Sequence, residues 1–298
     1  MQRGYAHYVR TGDIFEPGLH PDIEWHSRAD LLDSDVYRRI GAVRAFIQGW
    51  PSAFDDFGAD IEGVIDRGSY AVVSPHLDDA VLSCGLFLAA TPGSSIVTVF
   101  SHGPSTVSPL PAWDSDSRYF PDGADVMGVR RGEDISAAAM AHATTLHLGY
   151  WDGQYRTSGY GYRGLPASQL PAAIAADLAG RARAQPGLAW LIPLGIDHRD
   201  HVITAEAGLI FAGSHDGPVY LYEELPYARR YPAAVAERKK SLGRHGYALA
   251  ADPALSSVSD PAWKAAIVGC HASQQRVLGR GLPIALRSPE RIWRLDRR

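Results

Sequence analysis

The stretch Ala71-Val-Val-Ser-Pro-His-Leu-Asp-Asp-Ala-Val-Leu-Ser-Cys-Gly85 constrains this chain more than any other. An apolar run stops at His76, Asp78 and Asp79, and a second apolar run begins at once. A carboxylate buried without a partner loses its hydration and gains nothing in return. Two carboxylates beside an imidazole, at a strand-to-helix junction between hydrophobic segments, therefore point to a cation or a proton held there. The plainer reading is a helix-capping Asp next to a core histidine. One cap accounts for one Asp, but not for two with a histidine.

Short apolar runs alternate with Ala-rich segments along the rest of the chain. Strands are expected at 69–74, 95–100, 144–148, 188–193 and 218–222, and helices at 81–90, 126–142, 168–184 and 199–212. This alternation implies an α/β fold with a mostly parallel sheet and helices on both faces. Ligands of such sheets bind beyond the carboxyl ends of the strands, where His76 to Asp79 fall. Residues 1–66 carry scattered aromatics, Pro and Gly, with one helix expected at 34–49. They read as an N-terminal extension packed on a main domain spanning 67–298. Residues 101–124 and 151–165 are polar and Gly- or Pro-rich. They are long loops of the kind that shape binding sites.

A second polar cluster follows the fourth expected strand: Leu194-Gly-Ile-Asp-His-Arg-Asp-His201. His198 and His201 stand three apart at a helix start, so both rings share one helix face. Together the two clusters offer His76, Asp79 and His201 as metal ligands, with Asp78 and His198 left for proton transfer. A His/Asp/His set leaves one zinc coordination position open for water. The metal lowers the pKa of that water, a carboxylate can take its proton, and an imidazole can steady an oxyanion. Asp197 and Asp200 read as helix-start or supporting carboxylates.

These residues resemble the PIG-L/LmbE-like family of zinc-dependent de-N-acetylases. Pro75-His76-Leu77-Asp78-Asp79 stands for the family's Ala-His-Pro-Asp-Asp-Glu, and His198-x-x-His201 for its later His-x-x-His. The resemblance implies a Rossmann-like fold and removal of an N-acyl group, most often acetyl, from an amino sugar or glycoconjugate. It implies His76, Asp79 and His201 as Zn2+ ligands, Asp78 as general base, and His198 as the group assisting the tetrahedral intermediate. Arg130-Arg-Gly-Glu133 looks like the family's Arg-x-x-Glu helix start, and Leu148-Gly-Tyr-Trp-Asp152 like its Leu-Gly…Asp strand end. By that likeness Arg130 and Asp152 contact substrate. On their own, Arg130 or Arg131 can equally pair with Glu133 or Asp134, and Asp152 can equally close an Asp-Gly turn. One of Glu223 and Glu224 can buttress the site, or both can be exposed. The likeness covers about 69–275 and departs at Leu77, for proline, and at Ala80, for an acid.

Other features narrow the field. The net charge is −4 and the sequence pI about 6.3, which argues against a general nucleic-acid binder. Five arginines between Arg287 and Arg298 read as a solvated tail. No apolar run is long enough to span a bilayer, and Met1–Tyr8 lacks a signal-peptide core, so a cytoplasmic location is expected. Cys84 and Cys270 sit in apolar surroundings as expected free thiols. His20-Pro-Asp22 lacks a preceding strand and a second Asp. Gly159-Tyr-Gly-Tyr-Arg-Gly164 lacks the strand and helix of a dinucleotide fingerprint. Three alternatives stay open on sequence alone: a deacylase of a non-sugar natural-product amide, a non-catalytic sugar-binding protein of the same fold, and a nicotinamide-dependent oxidoreductase using that glycine loop.

Overall fold

A computed structural model describes residues 69–156, 160–253, 255–256 and 260–298. The expected N-terminal extension, its helix at 34–49 and the His20-Pro-Asp22 turn lie outside the described residues. One seven-stranded sheet organises the rest, in the order β3-β2-β1-β4-β5-β7-β6. Strands β1 (Tyr70–Ser74), β2 (Ser95–Thr98), β3 (Thr144–His147), β4 (Ala189–Pro193) and β5 (Val219–Tyr222) are parallel neighbours. Each lies within two residues of its expected span. They were legible because strands covered on both faces read as continuous apolar runs.

Two further strands close the sheet. β7 (Ile292–Arg297) runs antiparallel to both β5 and β6 (Tyr247–Ala251). The C-terminal arginines are therefore not a free tail. Ile292 and Leu295 face inward, while Arg294 pairs with Asp296 at 2.9 Å and Arg297 donates to the carbonyl of Ala212.

The helices are α1 (Asp79–Ala89), α2 (Ala112–Ser117), α3 (Val126–Met140), α4 (Leu170–Ala184), α5 (Arg199–Ala212), α6 (Tyr227–Arg230), α7 (Pro232–Arg244), α8 (Pro261–Gly269), α9 (Gln275–Leu278) and α10 (Gly281–Arg287). Side chains of β1 alternate between two cores. Tyr70 and Val72 meet α1, α3, α8 and α10; Ala71 and Val73 meet α4, α5 and α7. α2 is a helix inside the expected 101–124 loop. A third, smaller core of Leu77, Val107, Val126, Met127 and Tyr155 lies beneath that loop.

β1 sits between β2 and β4, so the chain leaves β1 toward one side and returns on the other. A crevice opens at such a switch point beyond the strand ends. α1 enters it with every residue buried. Its ladder breaks at Cys84 (φ −137°, ψ 21°), and the Glu290 carboxylate accepts the amides of Leu86 at 3.0 Å and Phe87 at 2.9 Å. Lys264 Nζ, also buried, lies 3.1 Å from Glu290 Oε1. Glu290→Ala leaves two amides and an ammonium buried without their partner. It is expected to cost about 3–5 kcal/mol in denaturant unfolding, with Glu290→Gln losing less; equal stability of Glu290→Ala and the parent would show that this contact does not hold α1.

Candidate metal and catalytic centre

The turn from β1 into α1 is fastened by short-range bonds. Ser74 Oγ donates to the carbonyl of His76 at 2.6 Å and accepts the amide of Ala80 at 3.0 Å. Asp79 Oδ2 accepts the amide of His76 at 3.0 Å. Asp78 occupies the cap position of α1, but its side chain makes no capping bond. The capping explanation for this carboxylate therefore fails, and it is left facing the cavity.

The turn from β4 into α5 is tighter. Gly195 has φ +86°, and a Cβ there would stand 2.6 Å from Ala205 Cβ, so only glycine fits. Asp197 follows at φ +65°. The fully buried Glu224 carboxylate accepts three successive amides, Leu194 at 3.1 Å, Gly195 at 2.7 Å and Ile196 at 3.1 Å. Glu224 is thus the buttress, while Glu223 turns away to Lys239 at 2.7 Å and Trp293 Nε1 at 3.2 Å. His198 caps α5, its Nδ1 accepting the amide of Asp200 at 3.2 Å.

The two turns converge. Asp79 Oδ2 lies 3.1 Å from His76 Nδ1 and 3.1 Å from His201 Nε2. The far nitrogen of each ring also faces a carboxylate: His76 Nε2 lies 3.3 Å from Asp200 Oδ2, and His201 Nδ1 3.5 Å from Glu224 Oε1. A carboxylate behind an imidazole is the arrangement that orients metal-ligating histidines. Asp200 is itself held by the Gly153 amide at 3.0 Å and by Arg156, whose guanidinium lies 4.6 Å from the Phe100 ring centre. Donor atoms of His76, His198 and His201 lie within 4.8 Å of one another, as do those of His76, Asp152 and Asp200.

Charge follows geometry. Burial opposes ionisation of Asp79, but His201 and His76 outweigh it and hold its carboxyl well below the usual range. Burial, then the Asp79 charge, pushes Asp78 up to about 7. Burial lowers His201, but Asp79 and Glu224 reverse this and raise it to about 9. His76 is likewise raised against burial, by Asp200 and Asp79. His198 is pushed down to about 4, by desolvation first and then by the neighbouring imidazoles. It is nonetheless open to the cleft, so the ring is wet on one side.

The donor set fits a divalent cation. Both ring nitrogens of His201 are buried, and neither makes a well-angled hydrogen bond despite the flanking carboxylates. Imidazole nitrogen and carboxylate oxygen are the donors zinc takes.

Arg130 and Asp152 both line the adjoining cavity of about 660 Å³. Arg130 is buried, and Asp114 of α2 takes its guanidinium at 2.7 Å. Of the two alternatives, pairing of Arg130 or Arg131 with Glu133 or Asp134 is not the one seen. Arg131 donates to the carbonyl of Ser101 at 3.0 Å, Glu133 accepts from Ser273, and Asp134 meets His147 at 2.8 Å. Asp152 does close its turn, accepting the Gln154 amide at 3.0 Å, and it remains within reach of His76 and Asp200. Of the glycine-rich stretch, Gly164 lines the cavity, and no helix begins before Leu170. Arg156 and Trp113, which line the cavity, and Asp114, buried behind Arg130, were not marked by pattern alone. Each lies in a loop of irregular composition and finds its role only through tertiary approach.

Comparison with known proteins bears on the fold and on the segment that carries the two turns. No curated protein sequence matches the chain. The zinc-inhibited form of the teicoplanin deacetylase Orf2 is similar at 24% identity and a TM-score of 0.59, over 77% of this chain and 98% of that one. The A40926 pseudoaglycone deacetylase Dbv21 is similar at 24% identity and a TM-score of 0.58, over 78% and 98%. At that identity the likeness establishes a common fold. The family model described as PIG-L: GlcNAc-PI de-N-acetylase matches residues 71–212, a segment that contains both polar clusters and the strands that carry them. Over that segment the chain is similar to the PIG-L family.

Proposed function

We propose that this protein is a zinc-dependent N-deacetylase that hydrolyses the acetamide of an amino sugar or glycoconjugate. The observation that carries the reading is Asp78. It is a buried, uncapped carboxylate poised near 7, placed beside the Asp79–His76–His201 cluster at the mouth of a small-molecule cavity. The match of residues 71–212 to the model of a de-N-acetylase family supports it. The related structures are by name deacetylases of teicoplanin and of the A40926 pseudoaglycone, which suits removal of an acetyl group from a conjugate here. Two free buried thiols, Cys84 and Cys270, fit a reducing, cytoplasmic setting.

His76, Asp79 and His201 would hold the ion. Bound zinc supplies Lewis acidity, polarising a carbonyl and acidifying water. Asp78, uncapped and facing the cavity beside that cluster, takes a proton from the attacking water and returns it to the departing amine. His198 suits the oxyanion. Its Nδ1 accepts the Asp200 amide, so the neutral ring carries its proton on Nε2 and can donate it into the cleft. Arg130 and Asp152, fixed in the cavity wall, orient substrate hydroxyls. The test is release of acetate and free amine from N-acetylglucosaminides, lost on chelation and restored by zinc. No release from any N-acetyl sugar, with metal bound, would sink the reading.

The roles are separable. Asp78→Asn should keep its metal and lose about 10²–10⁴-fold in kcat; an unchanged kcat removes Asp78 from proton transfer. His198→Ala should keep one metal per chain and lose about 10²–10³-fold in kcat, whereas His201→Ala should lose the metal. Metal analysis showing loss in His198→Ala would instead place His198 in the ligand set, as its close grouping with His76 and His201 allows.

A further inference from the structure

One buried polar side chain in the cavity wall has no use in the roles assigned so far. Gln274 is 5% exposed and lines the cavity, yet its Nε2 is shut off from water and meets no acceptor among the described residues. It stands just before α9, but its side chain makes no capping bond there. Its main chain is fully engaged: the amide donates to the carbonyl of His271 at 3.0 Å, and the carbonyl accepts the amide of Leu278 at 3.0 Å.

The side chain is held in place. Glu133 of α3 accepts the amide of Ser273 at 2.8 Å and its hydroxyl at 2.6 Å, and both residues are buried. These two bonds tie the residue before Gln274 to α3, one turn after Arg130. Arg130 lines the same cavity, and its Nε is likewise buried without an acceptor. Leu278, one turn along from Gln274, lines the cavity as well. A buried amide donor without an acceptor destabilises a protein, and native folds keep few of them. Methionine would fill the same space without that cost. An acceptor brought by a ligand accounts for the arrangement. The acetamide of the substrate is committed to the Asp79 cluster, between Asp78 and His198, so the acceptors left for this wall are the hydroxyls of the sugar.

We propose that Gln274 is a specificity-determining residue that donates from Nε2 to one hydroxyl of the bound amino sugar. This rests on the deacetylase reading above and deepens it to one residue and one oxygen. A contact made equally in ground and transition states appears in KM and not in kcat. A buried donor also rejects the analogue that lacks the oxygen, because the donor is then left unpaired.

The test pairs the residue with the oxygen. The substrates are methyl N-acetylglucosaminide and its 3-, 4- and 6-deoxy analogues. The proteins are the zinc-loaded parent and Gln274→Met, which keeps the length of the side chain and removes the donor. With the parent, one deoxy compound should show a KM about fivefold above that of the full sugar, the size of one neutral hydrogen bond. Gln274→Met should raise the KM of the full sugar by the same factor, with the change in KM and not in kcat. It should add nothing to the loss already seen with that deoxy compound, since residue and oxygen make one contact. A packing role would instead raise the KM of all four sugars alike. That result, or a panel in which no deoxy loss disappears in the variant, overturns the proposal. Should Gln274→Met not fold, Gln274→Ala takes its place under the same criteria. Should the parent hydrolyse none of the four, the deacetylase reading fails. Calorimetric titration of the same sugars then decides on Gln274 alone: one deoxy sugar binding more weakly than the full sugar, with the difference gone in the variant, sustains the proposal, and no such coupling ends it.

Discussion

One oxygen atom, Oδ2 of Asp79, ties this molecule together at its centre. It receives the His76 amide and faces a nitrogen of each of two imidazoles that arrive from different strands. A charge so placed is stable only while all its partners stay in position, because an unpaired buried carboxylate is among the costliest groups a fold can carry. Each imidazole in turn needs its own carboxylate, Asp200 or Glu224. The result is alternating charge, acid–imidazole–acid–imidazole–acid, running from α5 through α1 to the loop after β5. A divalent ion held by these rings would take the place of their protons, so metal uptake at this cluster would release protons.

Topology makes the convergence cheap. β1 and β4 are adjacent and in register, Ala71 opposite Trp190 and Val72 opposite Leu191, so their ends open side by side. Residues 124 positions apart in sequence then meet through two short turns. The supports come from further along. Glu224 after β5 binds three amides of the β4–α5 turn, and Glu290 before β7 binds the broken ladder of α1. In both cases a buried carboxylate from the C-terminal half takes up amides that a tight turn or a kink leaves without partners.

That division explains what could be read from the chain itself. The five parallel strands and four main helices were legible, since buried strands are apolar throughout and charged residues at their ends stand out. His76, Asp78, Asp79, His198 and His201 were visible for the same reason. β6 and β7 were not: a half-exposed antiparallel strand such as Ile292-Trp-Arg-Leu-Asp-Arg297 alternates apolar with charged residues and resembles a solvated tail. Capping preference alone would also have misled. Asp78, a favoured capping residue, does not cap, while His198 does. Which side chain turns toward its own helix depends on the competing partners across the crevice. Asp114, Arg156 and Trp113 were hidden because Ser-, Pro- and Gly-rich loops have no period from which a contact can be inferred.

The site therefore has two parts with separate foundations. The polar floor stands on the ends of β1 and β4 and shares the main cores of the sheet. The loop wall of the cavity stands on residues 101–124, 151–156 and 160–167, braced by Tyr155, Tyr160 and the small third core of Leu77, Val107, Val126 and Met127. Arg156 and Asp200 form the main bridge between them. Changes in the loop wall can alter what the cavity accepts while the Asp79 cluster keeps its geometry, because few of the bonds that fix one part pass through the other. A fold built this way can keep one hydrolytic centre and vary the molecule presented to it.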